Sequence, residues 1–305
     1  MYCPLVRGKQ FELIALRELA DLLSPQYFKP IIEPVRDNYS PLLKTIECLN
    51  NRNIEPIVII NPCLGDFKTE PLIIDDILLK LNPNIKYTPC YGIKEHDDNI
   101  YESLNKKQGR KAAYVYDKID SRIVPILNEC EYSIVPVDAP IGALRKLKNI
   151  ILMDDPFQKK RKNADYLNES YFSDIHTSYK NKGIDVLGFG DYTIVGSEFS
   201  ESGGPAYVVT IHMSYIDEEN FDAMSVKHFS SEDNGSLVDP GGKFLEALQK
   251  FVIFDHDNPN IFDDTDGKEE LHKLFKNKQF SGLGIVKKIA IKHHIETLCN
   301  YISKG

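Results

Sequence analysis

The sequence lacks three features that would each define a class of protein. No apolar run approaches the roughly 20 residues of a transmembrane helix, and the opening segment MYCPLVRGKQ contains no hydrophobic signal core. The six cysteines never form a C-x-x-C pair, which argues against a disulfide framework or a structural zinc site and favours free thiols in a reducing compartment. These absences predict a soluble, cytoplasmic protein.

An excess of basic residues is also missing. The chain has 37 Lys and Arg against 45 Asp and Glu, a net charge of -8. A general duplex-binding surface needs clustered cations that replace the counterions of the phosphate backbone, so this balance disfavours one and leaves only a local basic patch open. With 305 residues, 42% of them hydrophobic, the chain can form one large domain with a substantial core.

Short apolar runs alternate with helical segments along most of the chain. This order is typical of an α/β fold, a closed (β/α)8 TIM-barrel-like domain with right-handed crossovers, which we predict as a single unit over residues 1–305. The eight predicted strands are residues 3–6, 29–35, 56–61, 87–93, 112–117, 132–138, 150–154 and 185–193.

The last predicted strand contains Gly188 and Gly190 and ends in Asp191 and Tyr192. Glycine weakens a strand and is placed where a ligand or another backbone approaches closely. We therefore expect such a close approach here.

Helical patterns surround this last strand. A long helix is predicted over residues 164–182, closed by Gly183 as a left-handed cap. The eighth barrel helix is predicted at residues 243–254, followed by a C-terminal helical extension over residues 267–305.

Between the last strand and that helix, residues 193–240 predict a β-hairpin insertion. In residues 207–216 polar and apolar side chains alternate, as in a β-strand, and residues 226–229 are suited to pair with this strand. A long connection inside a compact domain is usually functional, so we interpret the hairpin as a lid at the barrel mouth, which Gly203 and Gly204 would allow to move. Its apolar face is expected to pack on the barrel or on a partner.

Many predicted strands end in a polar side chain, and the carboxyl ends of barrel strands meet at one rim. Oxygen ligands suit magnesium or manganese. We expect Glu33, Asp154 and Asp191 to hold such an ion and, with Asp138 and Lys9, to form the catalytic set. The alternative is that these residues only cap the following helices.

Other residues are candidates for ligand binding. Lys9 and Arg7 would balance negative charge that develops on a phosphoryl or carbonyl oxygen, and Lys9 would alternatively form a Schiff base. Lys159 and Arg161 follow the seventh strand, where barrels often bind phosphate, although a solvated charge run is the simpler interpretation.

Three further candidates have polar or aromatic side chains. Asn61 and Tyr192 lie at the carboxyl ends of predicted strands, and His212 lies in the hairpin as a candidate general base. An exposed or core histidine is the alternative for His212.

Six segments carry a family resemblance: YCPLVRGKQFELIALREL, FKPIIEPV, IVIINP, the predicted strand that ends in Asp138, GFGDYT and TIHMSY. In order and spacing they resemble the so-called beta family of bacterial and phage proteins, over about residues 1–250. The resemblance implies a barrel-like domain and a nuclease-like protein partner encoded nearby in mobile or defence loci. It brings no established activity.

Two hypotheses from different classes follow, and whether the protein is an enzyme stays open. The first is a cytoplasmic barrel whose acidic pocket hydrolyses or senses a phosphate-bearing ligand, such as a nucleotide, a phosphodiester or a nucleic-acid end, with magnesium or manganese. The second is a non-catalytic protein-binding component of an antiphage defence or mobile-element system, acting with a nuclease-like partner.

Overall fold

The computed structural model describes the chain except residues 70–71, 96, 182, 202–206, 234, 281 and 305. The chain divides into two compact units. Unit 1 comprises Met1–Asp155 and Ile175–Tyr192, and unit 2 comprises Pro156–Asp174 and Thr193–Gly305. Unit 2 therefore combines a short segment between two barrel strands with the C-terminal part of the chain.

Unit 1 is a parallel barrel, as predicted. Its strands follow one another in chain order in an 8-stranded sheet. They are β1 (Leu5–Val6), β2 (Ile31–Ile32), β3 (Ile57–Ile59), β4 (Thr88–Ile93), β5 (Ala112–Val115), β6 (Tyr132–Pro136), β7 (Ile150–Met153) and, after β8 of unit 2 (Glu169–Ser173), β9 (Val186–Gly190).

Helices connect the barrel strands. The first, α1, buries Leu13, Leu16 and Leu19, which recur every three residues and so share one face of the helix. The helices of unit 1 are α1 (Gln10–Leu19), α2 (Ser40–Asn50), α3 (Asp75–Leu81), α4 (Asp98–Lys106), α5 (Val124–Leu127), α6 (Ile141–Leu144) and α7 (Ile175–Ser178).

The last barrel strand is hydrogen-bonded to the first. The backbone N–H of Cys3 donates to the carbonyl of Phe189, and that of Leu5 donates to Asp191, both at 2.8 Å. These bonds close the sheet, which removes the exposed edges that an open sheet would present.

Two glycines make this closure possible. A Cβ atom on Gly188 would lie 2.5 Å from the carbonyl oxygen of Met1. One on Gly190 would overlap the carbonyl oxygen of Cys3 and lie 2.8 Å from Cε of Met153. The expected close approach is therefore confirmed, and the group that approaches is the backbone of the chain's own first residues.

Unit 2 contains an antiparallel sheet and three long helices. The hairpin of β10 (Thr210–Asp217) and β11 (Ala223–Ser230) is present as predicted, and β8 adds a third strand beside β11. The helices are α8 (Pro240–Asp257), α9 (Asp266–Lys276) and α10 (Leu283–Lys304). The helix predicted to complete the barrel is α8, and it belongs to unit 2.

The apolar face of β10 is covered by these helices. Val209, Ile211, Met213 and Tyr215 share a buried core with side chains of α8, α9 and α10, including Phe244, Phe251, Leu271 and Ile289. The face expected to pack on the barrel or a partner therefore packs within its own unit. The lid role stays a prediction, and Gly203 and Gly204 lie outside the described residues.

The prediction of a long helix over residues 164–182 is wrong. That segment contains a 3-10 turn, β8, the short α7 and a second 3-10 turn. Glu169 in β8 pairs with Lys227 of β11 in antiparallel register, and their side chains form an ion pair of 2.5 Å. This partner is 58 residues away in the chain, so local periodicity gives no sign of it.

Among the described residues, no helix is both long and apolar enough to cross a membrane.

We expect Gly190→Ala to destabilise the barrel, because the added methyl group overlaps the backbone of the first strand. Overpacking of this kind costs about 1–3 kcal/mol or more, which would be measured as a lower midpoint in urea denaturation followed by circular dichroism. The control is Gly142→Ala, where a Cβ meets nothing within 4 Å and helix propensity favours alanine. Equal midpoints for the two variants would contradict the role of Gly190 in closure.

Candidate functional site

Polar side chains lie above the apolar interior of the barrel, at the carboxyl ends of its strands. Strand side chains alternate between faces, so the residues two positions beyond the buried Leu5, Ile31, Ile59 and Tyr114 also point inward. With the last inward residue after β9, they form what we call the mouth layer: Arg7, Glu33, Asn61, Tyr116 and Tyr192. Sites of TIM-barrel enzymes lie at this end of the fold.

An ion pair between Arg7 and Glu33 is the centre of the mouth layer. Nη1 of Arg7 donates to Oε2 of Glu33, and the Tyr116 hydroxyl donates to Oε1 at 3.2 Å. The guanidinium lies 5.0 Å from the ring centroid of Tyr192, a cation–π contact. Glu33 is completely buried and Arg7 is 8% exposed, so each charge depends on the other for compensation.

Tyrosine hydroxyls surround this ion pair. Tyr114 and Tyr192 are hydrogen-bonded through their hydroxyls. Burial raises the pKa of Tyr114, Tyr116 and Tyr192 above the ordinary tyrosine value. The three hydroxyls therefore stay protonated at neutral pH and can act as donors.

Backbone geometry holds the mouth layer in place. Gly8, at φ +63°, turns the chain after β1, and the backbone N–H of Arg7 donates to Oε2 of Glu12 at 2.7 Å. The amide of Asn61 bonds both backbone groups of Gly92, at 2.8 and 2.7 Å. A Cβ on Gly92 would lie 2.7 Å from the ring of Tyr116, so glycine leaves room for that ring.

Two predicted carboxylates face away from the barrel interior. Asp191 follows the inward-facing Gly190 and precedes Tyr192, so alternation turns it to the opposite side, where its Oδ1 accepts from the Tyr2 hydroxyl at 2.7 Å. Asp154 follows the interior Met153 and accepts the backbone N–H of Asp155 at 2.8 Å.

The other two predicted catalytic residues are more open to solvent: Asp138 is exposed and Lys9 is half-buried. Asp117 after β5 and Asp155 after β7 are also exposed acidic residues. Asp138 and Asp155 follow the neighbouring strands β6 and β7, which pair as far as Pro136 and Met153.

The structure does not bring Glu33, Asp154 and Asp191 together as one ligand set. Within the described ranges, no group of three or more His, Cys, Asp or Glu side chains is arranged to hold a metal ion. Glu33 instead interacts with Arg7 and Tyr116.

Three predicted ligand-binding residues belong to unit 2. Lys159 forms an ion pair of 3.1 Å with Glu198, and Arg161 is exposed. His212 lies on β10 directly opposite His228 of β11, with 2.7 Å between the two Nδ1 atoms.

Aromatic rings surround the histidine pair. The centroid of Tyr166 lies 4.7 Å from both imidazole rings, and that of Phe157 lies 5.3 Å from His212. Burial lowers the pKa of His212 to about 3 and that of His228 to about 4. Both rings are therefore neutral at pH 7.

Several residues of these clusters were not predicted from the sequence. Tyr114 and Tyr116 were available from the alternation of strand 112–117, since inward positions recur every second residue. His228 and Ser170, which lie beside His212, gave no local signal because their strands meet only in the folded sheet.

Comparison of the chain with protein-family models, with curated proteins and with solved structures found no match to any of the three.

We expect Arg7→Met to lower the free energy of unfolding by about 3–5 kcal/mol, because it leaves the buried Glu33 carboxylate uncompensated. The double variant Arg7→Met/Glu33→Leu should recover most of this loss. Urea denaturation of both variants measures the difference.

The control for these two variants is the surface ion pair Arg36–Asp66, whose side chains are 47% and 33% exposed. Arg36→Met should cost about 0–1 kcal/mol. Equal losses in the single and double variants at Arg7 and Glu33 would show that the two charges are not coupled.

Acid should destabilise unit 2. Burial lowers the pKa of His228 and of His293 from 6.5 to about 4, so between these pH values the unfolded chain binds more protons than the folded one. The free energy of unfolding then falls as the pH falls from 6.5 to 4, by up to about 1.4 kcal/mol per pH unit for each histidine.

The measurement is urea denaturation at several pH values in that window. His293→Gln should reduce the slope by about one proton, whereas His256→Gln, at a side chain that is 86% exposed, should leave it unchanged. A slope that is the same in all three proteins would contradict the neutral, buried state of His293.

Proposed function

We propose that the protein binds a phosphate-bearing small molecule, a nucleotide or phosphodiester, at the mouth layer of the barrel. The observation that carries this proposal is the position of Arg7: its guanidinium is buried at the carboxyl end of the barrel, fixed by Glu33 and by the ring of Tyr192. Guanidinium groups recognise phosphate oxygens with directed, charge-assisted hydrogen bonds.

The tyrosines support the same ligand class. The hydroxyls of Tyr114, Tyr116 and Tyr192 are protonated donors beside Arg7. A phosphate group offers several acceptor oxygens, so it can accept hydrogen bonds from the Arg7 guanidinium and from tyrosine hydroxyls that exchange their present partners for it.

A divalent metal is part of this proposal. Mg²⁺ is usually held by one or two carboxylates together with waters and substrate phosphates, rather than by a cage of protein ligands. Asp138 and Asp155, exposed after β6 and β7, would supply such carboxylates. A metal there would polarise a phosphoryl oxygen or activate water, and hydrolysis of the ligand is the reaction it would support.

The other expectations stay predictions. A nuclease-like protein partner, a role in antiphage defence and a cytoplasmic location derive from the family resemblance or from composition. The contacts of the two units bear on none of them.

Binding is tested by thermal denaturation with inorganic pyrophosphate and Mn²⁺, each alone and both together. Together they should raise the melting temperature of the wild type by a few degrees, because a ligand that binds only the folded state stabilises it by RT ln(1 + [L]/Kd). The rise should be lost in Arg7→Met/Glu33→Leu and reduced in Tyr192→Phe.

Arg36→Lys is the matched control, since this arginine pairs with Asp66 on the surface, and it should keep the full rise. No rise in the wild type under any of the three conditions would refute the proposed ligand class. A rise that survives in the double variant would place the ligand elsewhere.

A further inference from the structure

Three side chains on the sheet of unit 2 form a continuous hydrogen-bonded chain. Oγ of Ser170 lies 2.8 Å from Nε2 of His228, and Nδ1 of His228 lies 2.7 Å from Nδ1 of His212. Each residue comes from a different strand: β8, β11 and β10.

The strand register explains why these residues meet. His212 and His228 are direct cross-strand partners. Ser170 pairs with Val226, two positions from His228 on the same face, and such diagonal neighbours are within reach of long side chains.

Only two tautomer arrangements satisfy both hydrogen bonds when the histidines are neutral. In one, His212 donates to His228, which donates to Ser170. In the other, the Ser170 hydroxyl donates to Nε2 of His228, and Nδ1–H of His228 donates to His212. The second has the connectivity of a serine nucleophile, its general base and an orienting group.

The surroundings favour a reactive serine. His228 is 5% exposed, so its ring is held in place, whereas Ser170 is only half-buried on a strand at the end of the three-stranded order. The rings of Phe157 and Tyr166 pack against His212 and give the cluster an apolar border. This border favours a substrate with an apolar acyl group.

We propose that Ser170 is a nucleophile that attacks carboxylic esters, with His228 as its general base and His212 as the positioning residue. The bond between Oγ and the acyl carbon forms while the Oγ proton passes to Nε2 of His228. The bond from the acyl carbon to the alkoxy group breaks, and the leaving oxygen takes that proton. Water then attacks the acyl-serine, giving a proton to Nε2, and Oγ regains it as the carboxylic acid leaves.

A second serine–histidine pair in the same unit provides an internal comparison. Ser214 Oγ lies 2.9 Å from Nδ1 of His294, but both residues are 0% exposed. A hydrogen bond to histidine without access to solvent should not make a serine reactive. Ser214 is therefore the matched control for Ser170.

The test is labelling of the full chain with a fluorophosphonate, located by peptide mass spectrometry. The probe should label Ser170 and not Ser214, and Ser170→Ala should abolish the label. His228→Gln should slow labelling by about 100-fold, the usual contribution of a general base, with the fold checked by circular dichroism.

A second variant pair tests the positioning residue. His212→Leu should slow labelling, whereas His212→Asn, whose amide oxygen can accept from Nδ1–H of His228, should restore much of the rate. The rate should also be flat above pH 6 and fall towards pH 4, where His228 gains its proton. Burial is the main cause that lowers the pKa of His228 to about 4; the charge of Lys160 lowers the pKa further and that of Glu169 raises it.

Absence of label at Ser170, or labelling that is unchanged in His228→Gln, would overturn the proposal. The control for both measurements is Arg36→Lys, a surface substitution outside the serine–histidine cluster and the mouth layer, which should label at the wild-type rate.

Discussion

The barrel of unit 1 depends on the contact between its last strand and its first. The backbone N–H groups of Cys3 and Leu5 donate hydrogen bonds to the last strand, so the two segments must lie very close together. A side chain at Gly188 or Gly190 would prevent this approach. With the sheet closed, the alternate residues of every strand face one interior. Closure therefore fixes which polar residues meet at the carboxyl end.

The mouth layer is not explained by stability alone. A buried Arg–Glu pair loses much of its Coulomb energy to desolvation, and a hydrophobic pair of similar volume is often at least as stable. Here the pair is supported by the Tyr116 hydroxyl and by the ring of Tyr192. The pair lies at the end of the fold where barrels bind ligands, and this position is the reason for proposing a binding site there.

Unit 2 uses histidine in two different ways. His293 is buried between Thr265 and the carbonyl of Ser214, at 2.7 Å from each, so it links α9, α10 and β10 as a neutral structural group. His228 has similar distances to its neighbours, but one of them is the accessible Ser170. The hydrogen-bond partners of His293 are buried, whereas Ser170 is half-buried, and this difference is the basis for proposing that only the His228 cluster is reactive.

The sequence alone determined the eight-strand order, the hairpin and the terminal helices, because apolar periodicity and breakers report local structure. It also indicated that Gly188 and Gly190 face a close approach. Only the tertiary structure decided that residues 169–173 form a strand, that Asp191 turns away from Glu33, and that Ser170, His228 and His212 meet. Periodicity shows which face of a segment is buried, but it does not show which distant segment covers that face. The strand at residues 169–173 and the Ser170–His228–His212 cluster depend on such distant segments.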